Sequence, residues 1–293
     1  GSLRAGDISR YKLGSVLSGG GGAPAQNTAA AWKAMISAYQ DEARATRLQI
    51  PLLYGIDAVH GHNNLQNATI FPHNIALGAA GEAELVRRIG IATAEEMAAT
   101  GIYWNFAPCI AVAQDPRWGR FYESYGQDSS AVAMLGRAYI EGFQSAEKSP
   151  SLHPIATAKH FLGDGGTRWG SSTTDNYKID QGNTPADEQY LQEVLFPPYE
   201  EALKAGVRTI MVSFSSLNGV KMHANKELIT GVLKTKWGFS GFVVSDWGGI
   251  DQVSPDYGKA LTLAINAGID MVMVPYDANR FINTMTQLVK ENQ

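Results

Sequence analysis

The sequence predicts an α/β fold of the (β/α)8-barrel type, read as one incomplete barrel over residues 1–293 with about seven strands visible. Three observations predict it. A chain of 293 residues suits a barrel, which typically takes about 250. Short apolar runs alternate with amphipathic helical segments over almost the whole length, and no low-complexity linker divides them. Glycines close the helical stretches just ahead of the apolar runs, the usual C-cap position of that residue.

The elements follow in order. Leu13 to Leu17 reads as a buried strand, followed by the glycine run Gly19 to Gly22. A helix from about Thr28 to Arg47 then carries Trp32, Met35, Ile36, Tyr39 and Ala43 on one face. Apolar runs come next at Pro51–Asp57, Ile102–Pro108, Ile155–Phe161, Thr209–Phe214, Phe242–Asp246 and Met271–Val274. Their nearly continuous apolar character is that of parallel strands covered on both faces. Amphipathic segments lie at about Glu82 to Ala99, Asp187 to Ala205, Lys226 to Trp237 and Tyr257 to Ala267, and the chain stops in a further helix. Gly101, Gly206, Gly238 and Gly268 separate helices from strands. Repetition of helix, glycine and strand implies right-handed βαβ units.

The rival, a doubly wound open sheet, would carry a Gly-x-Gly-x-x-Gly turn after its first strand, and that spacing is absent. Gly19 to Gly22 is not followed by Lys-Ser/Thr, which argues against a phosphate loop and leaves a mobile or tightly bent loop. Hydrophobic residues at 44% and charged residues at 18% are ordinary for a globular domain with a sizeable core. A net charge of -4 supplies no basic field for nucleic acid, and no apolar run is long enough to span a bilayer. The single cysteine, Cys109, excludes an intramolecular disulfide framework. Gly1-Ser2-Leu3 has neither the basic start nor the apolar stretch of a signal peptide, so the compartment is unknown from the sequence.

Polar residues gather at the C-terminal ends of the strands, where barrel enzymes build their sites. Asp57 ends the second run, Lys159 and His160 lie near the end of the fourth, and Asp246 and Trp247 end the sixth. Each alone is compatible with a cap or an ion pair; together they point to one rim.

Long segments then resemble a family. Gly55-Ile-Asp-Ala-Val-His-Gly-His62, Ala68-Thr-Ile-Phe-Pro-His-Asn74 and Asp115-Pro-Arg-Trp-Gly-Arg-Phe-Tyr-Glu-Ser124 resemble family 3 glycoside hydrolases. So do Ala158-Lys-His-Phe-Leu-Gly-Asp-Gly-Gly-Thr167 and Gly241-Phe-Val-Val-Ser-Asp-Trp247, in the family's order. The nearest branch is that of β-glucosidases and exo-β-glucanases. The resemblance implies retaining cleavage of terminal β-D-glucosyl residues, with Asp246 as the catalytic nucleophile. It further implies that Asp57, Arg120, Lys159 and His160 grip the glycone hydroxyls, that Met211 lines the same pocket, and that Trp247 stacks on the next sugar. Phe214 departs from the tyrosine common in relatives. The β-N-acetylglucosaminidase branch would carry a histidine in the loop after the fourth strand; here that loop reads Gly163-Asp-Gly-Gly-Thr167.

Chemistry independent of the resemblance agrees. A sugar offers hydroxyls and one apolar face, which a ring of Asp, Arg, Lys and His with an aromatic platform fits. Arg120 and Lys159 are expected to hold the Asp246 carboxyl low and ionised. The resemblance also implies an acid/base glutamate on a second α/β domain, so a further domain or chain is the expected partner alongside the β-glucoside or β-glucan. Neither Glu123 nor Asp175 carries a motif marking it as the acid. The family implies a secreted or periplasmic setting.

Structural readings stand beside these. Asp115 and Arg117 suit a turn with local ion pairs, and Trp32, Trp104 and Trp237 suit the core. His60, His62 and His73 have no carboxylate or thiolate at ligand spacing, so neither a metal nor a cofactor is expected. Two other functions remain open: a Schiff-base lyase using Lys159, and a sugar-binding barrel without turnover.

Overall fold

The computed structural model describes residues 3–18, 22–145, 153–174 and 176–292, so most of the Gly19 to Gly22 run and Asp175 lie outside the described residues. Nine short strands are present among them: β1 (Ser15–Ser18), β2 (Leu53–Ile56), β3 (Trp104–Asn105), β4 (Thr157–Phe161), β5 (Asn183–Thr184), β6 (Thr209–Val212), β7 (Ser216–Leu217), β8 (Val220–Lys221) and β9 (Phe242–Val244). The architecture is α/β, with the long strands parallel and helices between them.

The parallel strands are neighbours in chain order. β1 pairs with β2 from Ser15 opposite Leu53 to Ser18 opposite Ile56, and β2 pairs with β3. Ile155 continues the array: its N–H donates to the Tyr103 carbonyl at 2.7 Å, and its own carbonyl accepts from Asn105 N–H at 2.9 Å. β4 then pairs with β6 and β6 with β9. Beyond β9, Met271 bridges Val244 in parallel. The seven predicted runs are therefore all present and all parallel. Ser15 Oγ of the first run lies 3.5 Å from Met271 Sδ of the last.

Two apolar layers explain why the runs lack alternation. One face packs into a cluster of Trp104, Phe106, Met211, Val244 and Met273, joined by Leu17, Leu53, Ile155, Phe242 and Met271, so every run contributes. Opposite faces pack against the helices in the main core, with Ile56, Ala158, Ile210 and Val243 fully buried. Trp32 and Trp104 are core residues as expected, and half-buried Trp237 packs edge-on to Phe196 at 4.8 Å.

Several helices begin at a residue that supplies a cap. Thr28 caps Ala29–Arg44, Asp256 caps Tyr257–Ala267 and Asp277 caps Ala278–Lys290, each accepting a backbone N–H through its side chain. The expected helix from Asp187 is interrupted: a π-helical turn at Leu191–Leu195 precedes the helix Pro197–Lys204, because Pro197 has no N–H to continue the ladder. The helix expected from Lys226 is π-type, Glu227–Lys236. Gly101, Gly206, Gly238 and Gly268 all adopt positive φ at the expected breaks.

Some elements lie outside the sequence-based expectations. The helix Ser129–Gln144, capped by Asp128, was not among the segments read from the sequence; it buries nine of its residues, including Leu135, Gly136, Tyr139 and Phe143. It packs tightly on Ala83–Ala99, where a Cβ at Gly142 would run into the Arg87 carbonyl. A small sheet of β5, β7 and β8 also escapes the pattern, each strand being two residues long.

Candidate active site

Asp246 follows β9 and is buried, 7% exposed. Its Oδ1 accepts the Trp247 N–H at 2.7 Å, and its own N–H donates to Nε2 of the fully buried His223 at 3.0 Å. Among the described residues Oδ2 has no hydrogen-bond partner, and His160 Nε2 lies 3.7 Å away. Burial pushes the Asp246 carboxyl up to about 6, against the pull of the Arg120 guanidinium, the Trp247 N–H and Lys159. The expectation that nearby cations hold it low is therefore corrected: the cations are present, but desolvation outweighs them. At pH 7 the group is still mostly ionised.

Arg120 reaches the same place from the loop after β3. Its Nε and Nη2 clasp the two oxygens of Glu123 at 2.7 and 3.0 Å, and Nη2 also donates to His160 Nε2 at 2.9 Å. Burial works against the guanidinium, but the Glu123 bonds outweigh it and hold its charge firmly. Burial alone would raise Glu123, yet the Arg120 contacts bring it below the ordinary range, so it remains a carboxylate.

His160 is buried and neutral, its pKa driven down by burial and by Arg120 and Lys159. With Nε2 accepting from Arg120, Nδ1 carries the proton and donates to Asp164 Oδ2 at 2.7 Å. Asp164, four residues on, is pushed up to about 8 by burial despite Arg120. Lys159 donates to Asp57 Oδ1 at 3.1 Å. Burial would lower the Lys159 ammonium, but Asp57 and Glu123 raise it on balance. An ammonium held charged is a poor Schiff-base nucleophile, which counts against the lyase alternative.

A regular strand would turn Lys159 and His160 to opposite faces. Here the β4–β6 register shifts between Lys159 and Phe161, and both side chains join the cluster. Met211 pairs with Lys159 across that ladder and packs in the inner apolar cluster beneath the polar groups. Trp247 is 36% exposed at the rim, and its Nε1–H donates to the Tyr276 hydroxyl at 3.3 Å. All seven candidate residues thus lie on or beside the ends of parallel strands.

Three supporting residues were not singled out as site residues from sequence. Asp164 lies in a quoted motif at an i,i+4 distance from His160, which was a readable signal. His223 and Tyr276 come from distant segments and had none. Glu123 is a partner of Arg120. Phe214 lies against His223 at a ring separation of 6.2 Å. A Cβ on Gly249 would run into the His223 ring, so the glycine lets that imidazole sit under Asp246.

The remaining readings resolve locally. Arg117 forks onto Asp115, with Nη2 to Oδ2 at 2.6 Å, as a turn-stabilising pair. His60 and His73 contact each other at 3.0 Å, while His62 is fully buried against Thr100 Oγ1. The metal-ligating side chains that converge among the described residues are Cys109, His160 and Asp164. Burial raises the Cys109 thiol strongly, and His160 and Asp164 already bond each other, a set ill suited to a cation. No helix among the described residues is long and apolar enough to cross a membrane.

Comparison with known proteins gives the family. Residues 3–293 match the glycosyl hydrolase family 3 N-terminal domain. The chain is 35% identical over 241 residues to a lysosomal β-glucosidase of Dictyostelium discoideum, covering 78% of this chain and 28% of that protein. It superposes on an exo-1,3/1,4-β-glucanase of a Pseudoalteromonas species with a TM-score of 0.89 and 42% identity, covering 99% of this chain and 36% of the other. A β-glucosidase of Listeria innocua solved with glucose gives a TM-score of 0.81 and 28% identity, covering 98% and 37%. The chain thus spans about a third of the length of these relatives. By family model, sequence and structure alike, it belongs to glycosyl hydrolase family 3 and corresponds to the N-terminal domain.

Proposed function

We propose that this chain is the nucleophile-bearing domain of a retaining β-glucosidase or exo-β-glucanase acting on terminal β-D-glucosyl residues. One observation carries the reading. Asp246 is a buried carboxylate with one oxygen fixed by a backbone N–H and the other unpartnered. Asp164 also leaves one oxygen unpartnered, but it is enclosed behind His160, whereas Asp246 stands at the strand end beside His160 and the rim residue Trp247. One oxygen held and one free is the arrangement a nucleophile needs. Relatives named β-glucosidase and exo-β-glucanase support the substrate class.

In this reading Asp246 Oδ2 attacks the anomeric carbon as the bond to the leaving oxygen breaks, giving a glycosyl ester; water then displaces the carboxylate. Asp57, Arg120, Lys159 and His160 hold the glycone hydroxyls, Met211 floors the pocket, and Trp247 stacks on the leaving sugar. Arg120, oriented by Glu123, and the neutral His160, oriented by Asp164, are already set for the glycone, and the Asp246 carboxylate is the group that meets the positive charge developing on the sugar. We infer that the seven parallel runs wrap into a (β/α)-type barrel, supported by the shared inner cluster and by the Ser15–Met271 contact. Residues 1–293 are read as one domain of that kind.

The acid/base is assigned to a further domain or second chain. Among the described carboxyls of the site, Glu123 is bound by Arg120 and ionised, Asp57 is bound by Lys159, and Asp164 is buried behind His160. That same observation favours a second reading, a glycone-binding domain without turnover of its own.

One experiment separates them. An activated 2-deoxy-2-fluoro-β-glucoside has a leaving group that needs little acid help. Incubation followed by intact-mass and peptide analysis should add one fluoroglucosyl group on the peptide holding Asp246. A label on another residue would overturn the assignment. No label on a folded chain that binds glucose would establish the second reading.

A further inference from the structure

Tyr276 was not part of any sequence motif, yet it is the most exposed large aromatic side chain among the described residues, at 74%. It does not stand alone. Its hydroxyl accepts the Trp247 indole N–H at 3.3 Å, and the two rings meet edge to face, centroids 5.9 Å apart at 85°. Trp247 is mounted on fixed backbone. Trp247 follows Asp246, whose Oδ1 takes its N–H. The next residue, Gly248, donates to the Met273 carbonyl at 3.3 Å, while Met273 N–H donates to Ser245 Oγ at 2.8 Å. Tyr276 is three residues past Met273, so its ring is carried by the strand end adjacent to the one bearing Asp246.

An exposed aromatic pair at a fixed right angle presents two walls of a corner. Apolar ring faces left in water beside a polar pocket mark a place for a ligand with matching faces. Resting on the function proposed above, we propose that Tyr276 is a specificity-determining residue that forms the second wall of the leaving-group subsite and favours β-1,3-linked over β-1,4-linked glucan. In a β-1,4 chain successive pyranose rings lie close to one plane, so a single platform meets one sugar and the next runs parallel past it. In a β-1,3 chain successive rings turn against each other. Two walls at 85° meet two such inclined faces together. The Tyr276 hydroxyl also holds the indole in the orientation that makes the corner.

Binding of glucose, laminaritriose and cellotriose to the full chain by calorimetric or NMR titration tests this, in the parent, Tyr276→Ala and Tyr276→Phe. The readout is the affinity for each triose relative to glucose. Tyr276→Ala should lower the laminaritriose ratio about fivefold and the cellotriose ratio by less than about twofold. Tyr276→Phe, which keeps the wall and loses the hydroxyl, should fall between parent and Tyr276→Ala. A laminaritriose ratio unchanged in Tyr276→Ala, or equal losses for both trioses, would overturn the corner while leaving the glycone pocket intact. A folded parent that binds none of the three sugars would overturn the functional reading and the corner with it.

Discussion

Replacing Asp246 with asparagine should make the chain more stable at neutral pH, and the reason lies in the cost of burying a charge. The carboxyl titrates at about 6 in the folded chain against 3.8 when exposed. Because the folded value is raised, the native state binds more protons than the unfolded state between those values, so stability falls as pH rises from about 3.8 to about 6. A difference of roughly two pKa units at about 1.4 kcal/mol each makes the ionised carboxylate a cost of about 3 kcal/mol above that window. Asparagine keeps an oxygen for the Trp247 N–H and carries no charge. Asp246→Asn should therefore gain about 2–3 kcal/mol at pH 7.5, a rise in Tm of about 5 °C for a chain of this size. Most of the gain should vanish at pH 4, where the parent carboxyl is already protonated. Thermal melts of both proteins across pH 4–7.5 measure it. A variant equal to or less stable than the parent at pH 7.5, or a difference flat with pH, would refute the argument that desolvation dominates here. The same substitution must also abolish fluoroglucoside labelling, so a gain in stability should accompany a loss of chemistry.

Two further perturbations probe the support around the site. Glu123→Gln removes the carboxylate clasped by Arg120 and leaves a half-buried guanidinium poorly paired; it should cost about 2–3 kcal/mol in chemical denaturation and slow labelling, and a neutral result would remove Glu123 as the group that orients Arg120. Gly249→Ala places a methyl against the His223 ring and should break the bond from Asp246 N–H to Nε2. It should cost about 1–3 kcal/mol and slow labelling at Asp246 more than it weakens glucose binding; equal effects on both would mean that His223 supports the pocket generally.

How much of this was legible in the sequence depends on the range of the interactions. The seven parallel runs were readable because each is short and mostly apolar, four of them follow a helix-ending glycine, and burial of most of them on both faces leaves no alternation. The helix Ser129–Gln144 was missed, although its apolar residues recur at helical spacing behind the Asp128 cap. Asp57, Arg120, Lys159, His160 and Asp246 could be picked out by strand-end position and motif, and the fold gathers them in one polar cluster.

Charge state and partnership were decided only in three dimensions. From sequence, Arg120 and Lys159 predict a low Asp246 pKa; the tertiary structure raises it, because depth of burial is a property of the whole packing and not of neighbours along the chain. Simple alternation separates Lys159 from His160, and only the shifted register of β4 against β6 brings both to the same cluster. His223 beneath the Asp246 backbone and Tyr276 against Trp247 come from segments 23 and 29 residues away. The chain's own sequence determined which chemical groups stand at the strand ends; the packing of those strands decided which are charged, which are paired, and which oxygen of Asp246 is left free, since all three depend on distances no linear pattern encodes.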